Sequence, residues 1–182
     1  MFKILIGDIA KMLPYGKHNI NTNDLKIIKK SLNSNLITTG QYVEKFEKKI
    51  SNYTGSKYAI SCNSGTSALH LAFLSVNIKE NDNVIIPAIN FVATSNILKM
   101  MGAKIYLCDV DKNTGQITPE QLINCIKKNK IKKIKAIILM YLGGISSNNY
   151  EIYNLKKKYK FLIIEDSCHA LGSDYKYKGK KY

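Results

Sequence analysis

The stretch AIILMY at residues 136–141 and the stretch FLII at residues 161–164 are uninterrupted apolar runs. Between them, Ile152, Leu155 and Tyr159 recur at the spacing of one helix face. Continuous apolar strands separated by helices are typical of a parallel sheet that helices cover on both faces. These residues therefore predict an α/β fold with three layers, α/β/α, around a mostly parallel sheet.

The same alternation of strands and helices extends towards the N-terminus. Short apolar runs predict further strands at residues 58–62, 84–86 and 105–108. Helical periodicity predicts further helices at residues 64–76, 92–101 and 118–128. The last of these begins with a capping box between Thr118 and Gln121. The helix at residues 64–76 is apolar nearly all round, so we expect it to be buried.

Two amphipathic helices precede this unit. Their apolar stripes are Leu25, Ile28 and Leu32 in the first and Val43, Phe46 and Ile50 in the second. We interpret residues 1–21 as an N-terminal arm and residues 22–182 as one large domain. The tail at residues 174–182 predicts half of a hairpin with no closing helix after it, so we expect the chain to be part of a longer protein.

The charge of the chain comes from lysine alone. The net charge is +15, and all 28 basic residues are lysines, which cluster on predicted solvated helix faces. A protein that grips nucleic acid ordinarily uses arginine too, because the planar guanidinium pairs with phosphates and base edges. We therefore expect no nucleic-acid partner. A basic nucleic-acid-binding module stays as the alternative from another class.

Membrane and redox signals point to the cytoplasm. No apolar run is long enough to cross a membrane, and the N-terminus lacks the pattern of a secretory signal. The cysteines are Cys62, Cys108, Cys125 and Cys168, with no C-x-x-C pair among them. Cys62 and Cys108 lie in apolar strand-like runs, which is typical of buried thiols in a reducing compartment. We expect no membrane partner, no disulfide and no metal.

Ligands of an open parallel sheet bind at the carboxyl ends of its strands. The loop after residues 58–62 contains Ser64, Gly65 and Thr66 and opens a helix, so its N–H groups and hydroxyls form a phosphate cradle. A plain helix cap at Ser64 is the structural alternative. No P-loop or dinucleotide glycine motif is present. Their absence argues against an oxidoreductase with Asp109 as a ribose ligand.

Two further strand ends carry side chains that suit a planar cationic ring. Phe91 follows the strand at residues 84–86, where its ring can stack on a ligand ring. Asp166 and His169 follow residues 161–164, where the carboxylate can pair with a ring nitrogen and the imidazole with a neighbouring oxygen. The structural alternatives are a core position for Phe91, a helix cap for Asp166 and an interior hydrogen bond for His169. Together with the cradle, these side chains fit pyridoxal phosphate.

Short motifs follow one another along nearly the whole chain. They are PYGK at residues 14–17, LITTG at 36–40, NSGTSAL at 63–69, NVIIP at 83–87, FVAT at 91–94, DVD at 109–111 and EDSCHALG at 165–172. In this order they resemble the DegT/DnrJ/EryC1/StrS sugar aminotransferases, pyridoxal-phosphate enzymes with the large domain of the aspartate-aminotransferase fold, fold type I. The combination of FVAT and DSCHALGS looks most like the branch that makes the 4-amino sugar precursor of pseudaminic acid.

The resemblance implies roles for the site residues. Residues 64–66 would hold the cofactor phosphate, and Phe91 would stack on the pyridine ring. Asp166 would pair with the ring nitrogen and keep it protonated, so that the ring acts as an electron sink. His169 would lie by the phenolic oxygen of the ring, which makes Asp166 and His169 the candidate catalytic residues. The family's Schiff-base lysine belongs to a motif that this chain does not contain.

The resemblance also implies an activity. The enzyme would transfer an amino group from L-glutamate to a nucleotide-linked 4-keto-6-deoxy sugar, for surface polysaccharide or glycan biosynthesis, and would work as a homodimer. Because the chain lacks the Schiff-base lysine and the small C-terminal domain, we expect it to be inactive alone. Family members with histidine in place of that lysine dehydrate sugars. A pyridoxal-phosphate sugar dehydratase is therefore the alternative enzyme.

Overall fold

The computed structural model describes residues 17–146, 150–174, 176–177 and 180–181. The chain divides into two compact units, Met1–Ala59 and Ile60–Tyr182. Most of the predicted N-terminal arm lies outside the described residues, so a domain division at residue 21 stays a prediction.

The described part of the first unit, from residue 17 onwards, contains two helices, α1 (Thr22–Leu32) and α2 (Gln41–Thr54). Asn21 caps α1, because its side chain accepts from the backbone N–H of Asn23 at 2.8 Å while Asp24 accepts from the N–H of Asn21 at 2.8 Å. Gly55 directly follows α2, and its φ of 71° is the left-handed conformation common at helix ends. Neither helix has a fully buried residue, so the predicted apolar stripes are largely exposed.

The second unit alternates helices and strands. Its helices are α3 (Gly65–Ser75), α4 (Val92–Met100), α5 (Pro119–Lys128) and α6 (Tyr150–Tyr159), with a 3₁₀ turn at Leu142–Gly144. Its strands are β1 (Asn83–Pro87), β2 (Lys104–Cys108), β3 (Ala136–Met140), β4 (Leu162–Asp166), β5 (Lys176–Tyr177) and β6 (Lys180–Lys181). The capping box of α5 is present as predicted. β5 and β6 pair antiparallel, so the tail that predicted half of a hairpin contains both strands.

Strands β1 to β4 form a parallel sheet in the order β2-β1-β3-β4. Helices α3 and α4 cover one face, through a cluster that includes the strand residues Val84, Ile86, Ala136, Ile138 and Ile164. Helices α5 and α6 cover the other face, through a cluster that includes Ile85, Ile137 and Leu139. The sheet is therefore buried on both sides, which confirms the predicted α/β/α layers.

The alternation of side chains along β4 separates its last two carboxylates. Ile164 belongs to the cluster of α3 and α4, so Asp166, two residues later, lies on that same face. Glu165 lies on the opposite face, where the hydroxyl of Tyr153 in α6 donates to it at 3.0 Å. The sheet thus stands between the two acidic side chains.

Two predictions from apolar patterns are wrong. Residues 58–62 form no strand, and Tyr58 and Ile60 are 73% and 76% exposed. A strand needs a neighbour for its N–H and C=O groups, and no strand of the described residues pairs with this segment. Helix α3 is not buried all round, since only Leu69 and Phe73 on the face towards the sheet are buried.

The cysteines divide into a buried pair and an exposed pair. Cys108 is buried as predicted, and Cys125 is buried close to it, whereas Cys62 is exposed because its segment has no strand neighbour. Within the described part of the chain, no group of three or more His, Cys, Asp and Glu side chains is placed to hold a metal ion. None of the helices described has both the length and the apolar character needed to cross a membrane.

Candidate active site

The carboxyl ends of β1, β3 and β4 lie side by side, because these strands are parallel neighbours. Met140 at the end of β3 stands opposite Asp166 at the end of β4. Tyr141 continues this pairing by donating its N–H to the carbonyl of Asp166 at 3.1 Å. The loops that follow these strands therefore meet at one edge of the sheet, where the sequence predicted a ligand.

Ser64 caps helix α3 at this edge. Its hydroxyl accepts from the backbone N–H of Ser67 at 3.1 Å, and the hydroxyl of Ser67 donates to Asn63 at 2.7 Å. The helix-cap interpretation of Ser64 is thus correct, and the role of residues 64–66 as a phosphate cradle stays a prediction. The first-turn N–H groups at Gly65 and Thr66 have no acceptor within the helix, and both residues are exposed.

Gly65 brings α3 against the loop that follows β4. A Cβ atom at this position would lie 3.1 Å from Sγ of Cys168, tighter than ordinary van der Waals contact. Glycine is therefore the residue that allows the predicted phosphate cradle and the Asp166 loop to touch. This contact was not visible in the sequence, because the two segments are far apart along the chain.

Asp166 is buried at the end of β4, with 5% of its surface exposed. Its Oδ1 accepts from the backbone N–H of Cys168 at 3.3 Å. The thiol of Cys168 also hydrogen-bonds the Asp166 carboxylate, and this bond, together with burial, raises the pKa of Cys168 to about 11. A carboxylate held in this way at a sheet edge is oriented towards a ligand more firmly than a solvated one.

His169 is tied to the 3₁₀ turn after β3. The N–H of Gly143 donates to Nδ1 of His169 at 3.3 Å, so a neutral imidazole carries its proton on Nε2. At Gly144, which has a φ of 77°, a Cβ would lie 2.6 Å from the carbonyl oxygen of His169. Ser173 adds a hydroxyl bond of 2.7 Å to the carbonyl of Gly144. Gly143 and Gly144 thus hold the histidine against the turn that follows β3.

Phe91 lies on the surface and not in the core, with 60% of its area exposed. It directly precedes α4, and its backbone N–H donates to Sδ of Met140 at 3.3 Å. Because Met140 stands opposite Asp166, this contact places the backbone of Phe91 at the edge that carries the carboxylate. The exposed ring is available for stacking on a ligand.

Asn90 is a polar residue at this edge that sequence reasoning missed. Its Nδ2 is buried without a hydrogen-bond partner among the described residues, while Oδ1 lies 3.5 Å from the hydroxyl of Thr94. Buried amide groups are nearly always paired, so a buried donor without a partner next to Phe91 is unusual and makes Asn90 a candidate contact for a ligand. Its position between β1 and α4 was the available signal.

Similarity to known proteins agrees with this geometry. Residues 18–182 match the model of the DegT/DnrJ/EryC1/StrS aminotransferase family. A UDP-4-amino-4,6-dideoxy-N-acetyl-beta-L-altrosamine transaminase of Campylobacter jejuni (subsp. jejuni serotype O:23/36, strain 81-176) is 41% identical over 170 residues, which cover 93% of this chain and 44% of that protein.

Solved structures of two sugar enzymes superpose on most of this chain. A Streptococcus pneumoniae protein assigned as a sugar aminotransferase, in its PLP form, superposes with a TM-score of 0.79 at 27% identity, covering 88% of this chain and 44% of the other. A GDP-4-keto-6-deoxymannose-3-dehydratase with a trapped PLP-glutamate geminal diamine superposes with a TM-score of 0.80 at 28% identity, covering 92% and 43%. The chain spans less than half the length of these proteins. Its motifs, its sheet and its matched residues agree, and the chain belongs to the DegT/DnrJ/EryC1/StrS aminotransferase family.

Proposed function

We propose that the sheet edge around Gly65 and Asp166 binds pyridoxal phosphate and serves a sugar aminotransferase. The observation that carries the proposal is the contact between the loop of the buried Asp166 carboxylate and the open first turn of α3, in a chain of this family. A phosphate at the helix and a cationic ring nitrogen at the carboxylate are the two groups that such a pair of anchors suits.

The residues present fit this cofactor on structural grounds. Gly65 leaves the start of α3 without a side chain at that position, Gly65 and Thr66 are both exposed, and their first-turn N–H groups have no acceptor within the helix. The exposed ring of Phe91 provides a stacking surface. Bound pyridoxal phosphate supplies an electron sink, which the amino-transfer reaction needs.

Each proposed catalytic residue has a task that its own contacts support. Asp166 holds a proton on the ring nitrogen, because a buried carboxylate is best stabilised beside a positive charge. His169 offers an Nε2–H donor to the phenolic oxygen, because Gly143 occupies its Nδ1. The lysine that would hold the aldehyde is proposed to lie outside this chain.

We further propose a nucleotide-linked 4-keto-6-deoxy sugar as the substrate and L-glutamate as the amino donor. Support for the sugar comes from the Campylobacter jejuni transaminase, which is 41% identical over 93% of this chain. The cytoplasm is the proposed compartment, since Cys62, Cys108, Cys125 and Cys168 are all free thiols. Synthesis of a surface glycan precursor, such as that of pseudaminic acid, is the proposed purpose.

Sugar dehydration is the second candidate function. The dehydratase superposes as well as the aminotransferase does, with TM-scores of 0.80 and 0.79. The residues described here anchor the cofactor equally well for both reactions. The difference lies in whether the sugar exchanges its carbonyl oxygen for nitrogen or loses a hydroxyl.

Product analysis with the full-length protein tests the proposal. The protein is incubated with pyridoxal phosphate, L-glutamate and a UDP-linked 4-keto-6-deoxy-N-acetyl hexosamine, and the sugar product is identified by mass spectrometry and NMR. We expect an amino sugar with its hydroxyl groups intact and one 2-oxoglutarate for each amino sugar formed. A product that has lost a hydroxyl group and gained no amino group would establish the dehydratase instead, and failure to bind the cofactor would refute both.

A further inference from the structure

Cys168 stands between the two proposed anchors of the cofactor. On one side, its Sγ occupies the space into which a Cβ on Gly65 would point, at 3.1 Å. On the other side, its backbone N–H donates to Oδ1 of Asp166 at 3.3 Å. The same residue therefore contacts the first turn of α3 and the carboxylate at the end of β4.

The spacing between these anchors matters because one rigid ligand must reach both. The phosphate arm and the ring nitrogen of a pyridoxal phosphate molecule are held apart by its aromatic ring. An error of about 1 Å in such a pre-set geometry costs a large part of the binding or catalytic effect. A side chain packed between the anchors therefore determines whether both are engaged at once.

We infer that Cys168 is a positioning residue, which orients the Asp166 carboxylate through its backbone N–H and sets through its sulfur the distance from Asp166 to the phosphate cradle at Gly65. The inference rests on the proposed cofactor site and adds to it a residue that is not among the candidate catalytic or cofactor-binding residues. Cys168 needs no contact with the cofactor for this role.

The environment of Cys168 supports this role over that of a core thiol. Cys108 and Cys125 are buried among apolar side chains, whereas Cys168 is exposed and has polar contacts on the site edge. Its thiol hydrogen bond to Asp166 raises its pKa to about 11, so the thiol stays protonated and remains a donor at neutral pH. A neutral donor steadies the carboxylate without removing its charge.

A double-mutant cycle tests the spacing. Gly65→Ala, Cys168→Ala and the combined variant are prepared in the full-length protein, and pyridoxal phosphate binding is measured by absorbance titration. We expect Gly65→Ala to weaken binding by about tenfold, because its Cβ would lie 3.1 Å from Sγ and would push the two segments a few tenths of an ångström apart. In the Cys168→Ala background the same change should cost about threefold or less, since the collision partner is gone. An equal loss in both backgrounds would overturn the inference, because the new Cβ would then obstruct the phosphate directly.

A second measurement is independent of the cofactor. Alkylation of Cys168 by iodoacetamide is followed by peptide mass spectrometry over a pH range in the protein without added pyridoxal phosphate, with Cys62 as the reference thiol. The Cys168 profile should rise only near pH 11, and Asp166→Asn should shift it towards the ordinary value of 9. Cys168→Ser, which keeps a donor, should retain cofactor binding within about threefold.

The outcomes separate the inference from the proposed function. An alkylation profile that Asp166→Asn leaves unchanged would show that thiol and carboxylate are not in contact, and would overturn the inference. A wild-type protein with an Asp166-dependent profile but no affinity for pyridoxal phosphate would support the contact and refute the proposed function.

Discussion

Replacing Asp166 by asparagine removes one negative charge at the end of β4 and leaves the shape of the side chain nearly unchanged. The Oδ1 of asparagine can still accept the N–H of Cys168, so the loop after β4 should keep its conformation. What is lost is the counter-charge for a protonated ring nitrogen. Without that charge the site would hold the proton of a bound pyridine ring less firmly, and the electron sink that the cofactor supplies would weaken.

The magnitude follows from the burial of this carboxylate. Only 5% of Asp166 is exposed, so water cannot replace the lost charge. Hydrogen bonds to charged groups contribute about 1.5–3 kcal/mol, roughly twice the value for neutral pairs. A loss near 2.7 kcal/mol corresponds to about 10²-fold in rate. We therefore expect Asp166→Asn to lower glutamate-dependent turnover by about 10²-fold, towards the upper end of this range because the carboxylate is buried, with a smaller effect on cofactor binding because the proposed phosphate cradle is unchanged.

Glu165→Gln is the matched control, since it makes the same chemical change one residue earlier. Glu165 lies on the opposite face of the sheet, where the hydroxyls of Tyr141 and Tyr153 donate to Oε1 at 2.5 and 3.0 Å. Glutamine keeps this acceptor, so turnover should stay within about twofold of wild type. The assay measures 2-oxoglutarate formation in the full-length protein. Equal losses for the two variants would show that Asp166 is not the partner of the ring nitrogen.

Three further outcomes test the structure beyond this carboxylate. Gly144→Ala should lower the free energy of unfolding by roughly 2–4 kcal/mol in a urea titration, because Gly144 has a φ of 77° and a new Cβ would lie 2.6 Å from the His169 carbonyl oxygen. Gly115→Ala is the control, since Gly115 has a φ of 67° but no neighbour within 4 Å, and it should cost only about 1–2 kcal/mol. Burial raises the pKa of the Cys108 thiol to about 12, so the stability that the neutral thiol contributes is complete below pH 9 and is lost as the pH rises towards 12. Cys108→Ala should therefore reduce the loss of unfolding free energy between pH 9 and pH 12 by up to about 4 kcal/mol. The exposed apolar stripes of α1 and α2 predict a homodimer of the full-length protein by light scattering, which Phe46→Lys should weaken; a monomer that binds no hydrophobic dye would contradict it.

Much of the fold follows from local patterns in the chain. Apolar runs correctly located β1 to β4; the reason is clearest for the central strands β1 and β3, which are buried on both faces and are therefore almost wholly apolar. The helix starting at Pro119 was predictable from its capping box, since Thr118 and Gln121 satisfy each other's N–H groups locally. The position of Asp166 directly after an apolar run was enough to place it at the carboxyl edge.

The pattern failed where a neighbouring element is needed. Residues 58–62 are as apolar as a true strand, yet they pair with no strand of the described residues and stay exposed. Local propensity does not supply hydrogen-bond partners, so the same composition leads to a strand in one place and an extended segment in another. Helix α3 shows the same limit, because only its sheet-facing residues are buried.

By itself, the sequence placed Phe91, Asp166 and His169 at the carboxyl edge of the sheet, because each of them comes at or just after the end of a strand that an apolar run predicted. Residues 64–66 were predicted to follow a strand that does not form, so only the contact between Gly65 and Cys168 in the tertiary structure places them at this edge. Only the tertiary structure decided how these residues are held. The sulfur of Cys168 lies against Gly65, and Gly143 donates to Nδ1 of His169, across separations that no local pattern encodes. Such contacts depend on distances of a few tenths of an ångström between distant segments, and those distances are set only when the whole sheet and its helices pack.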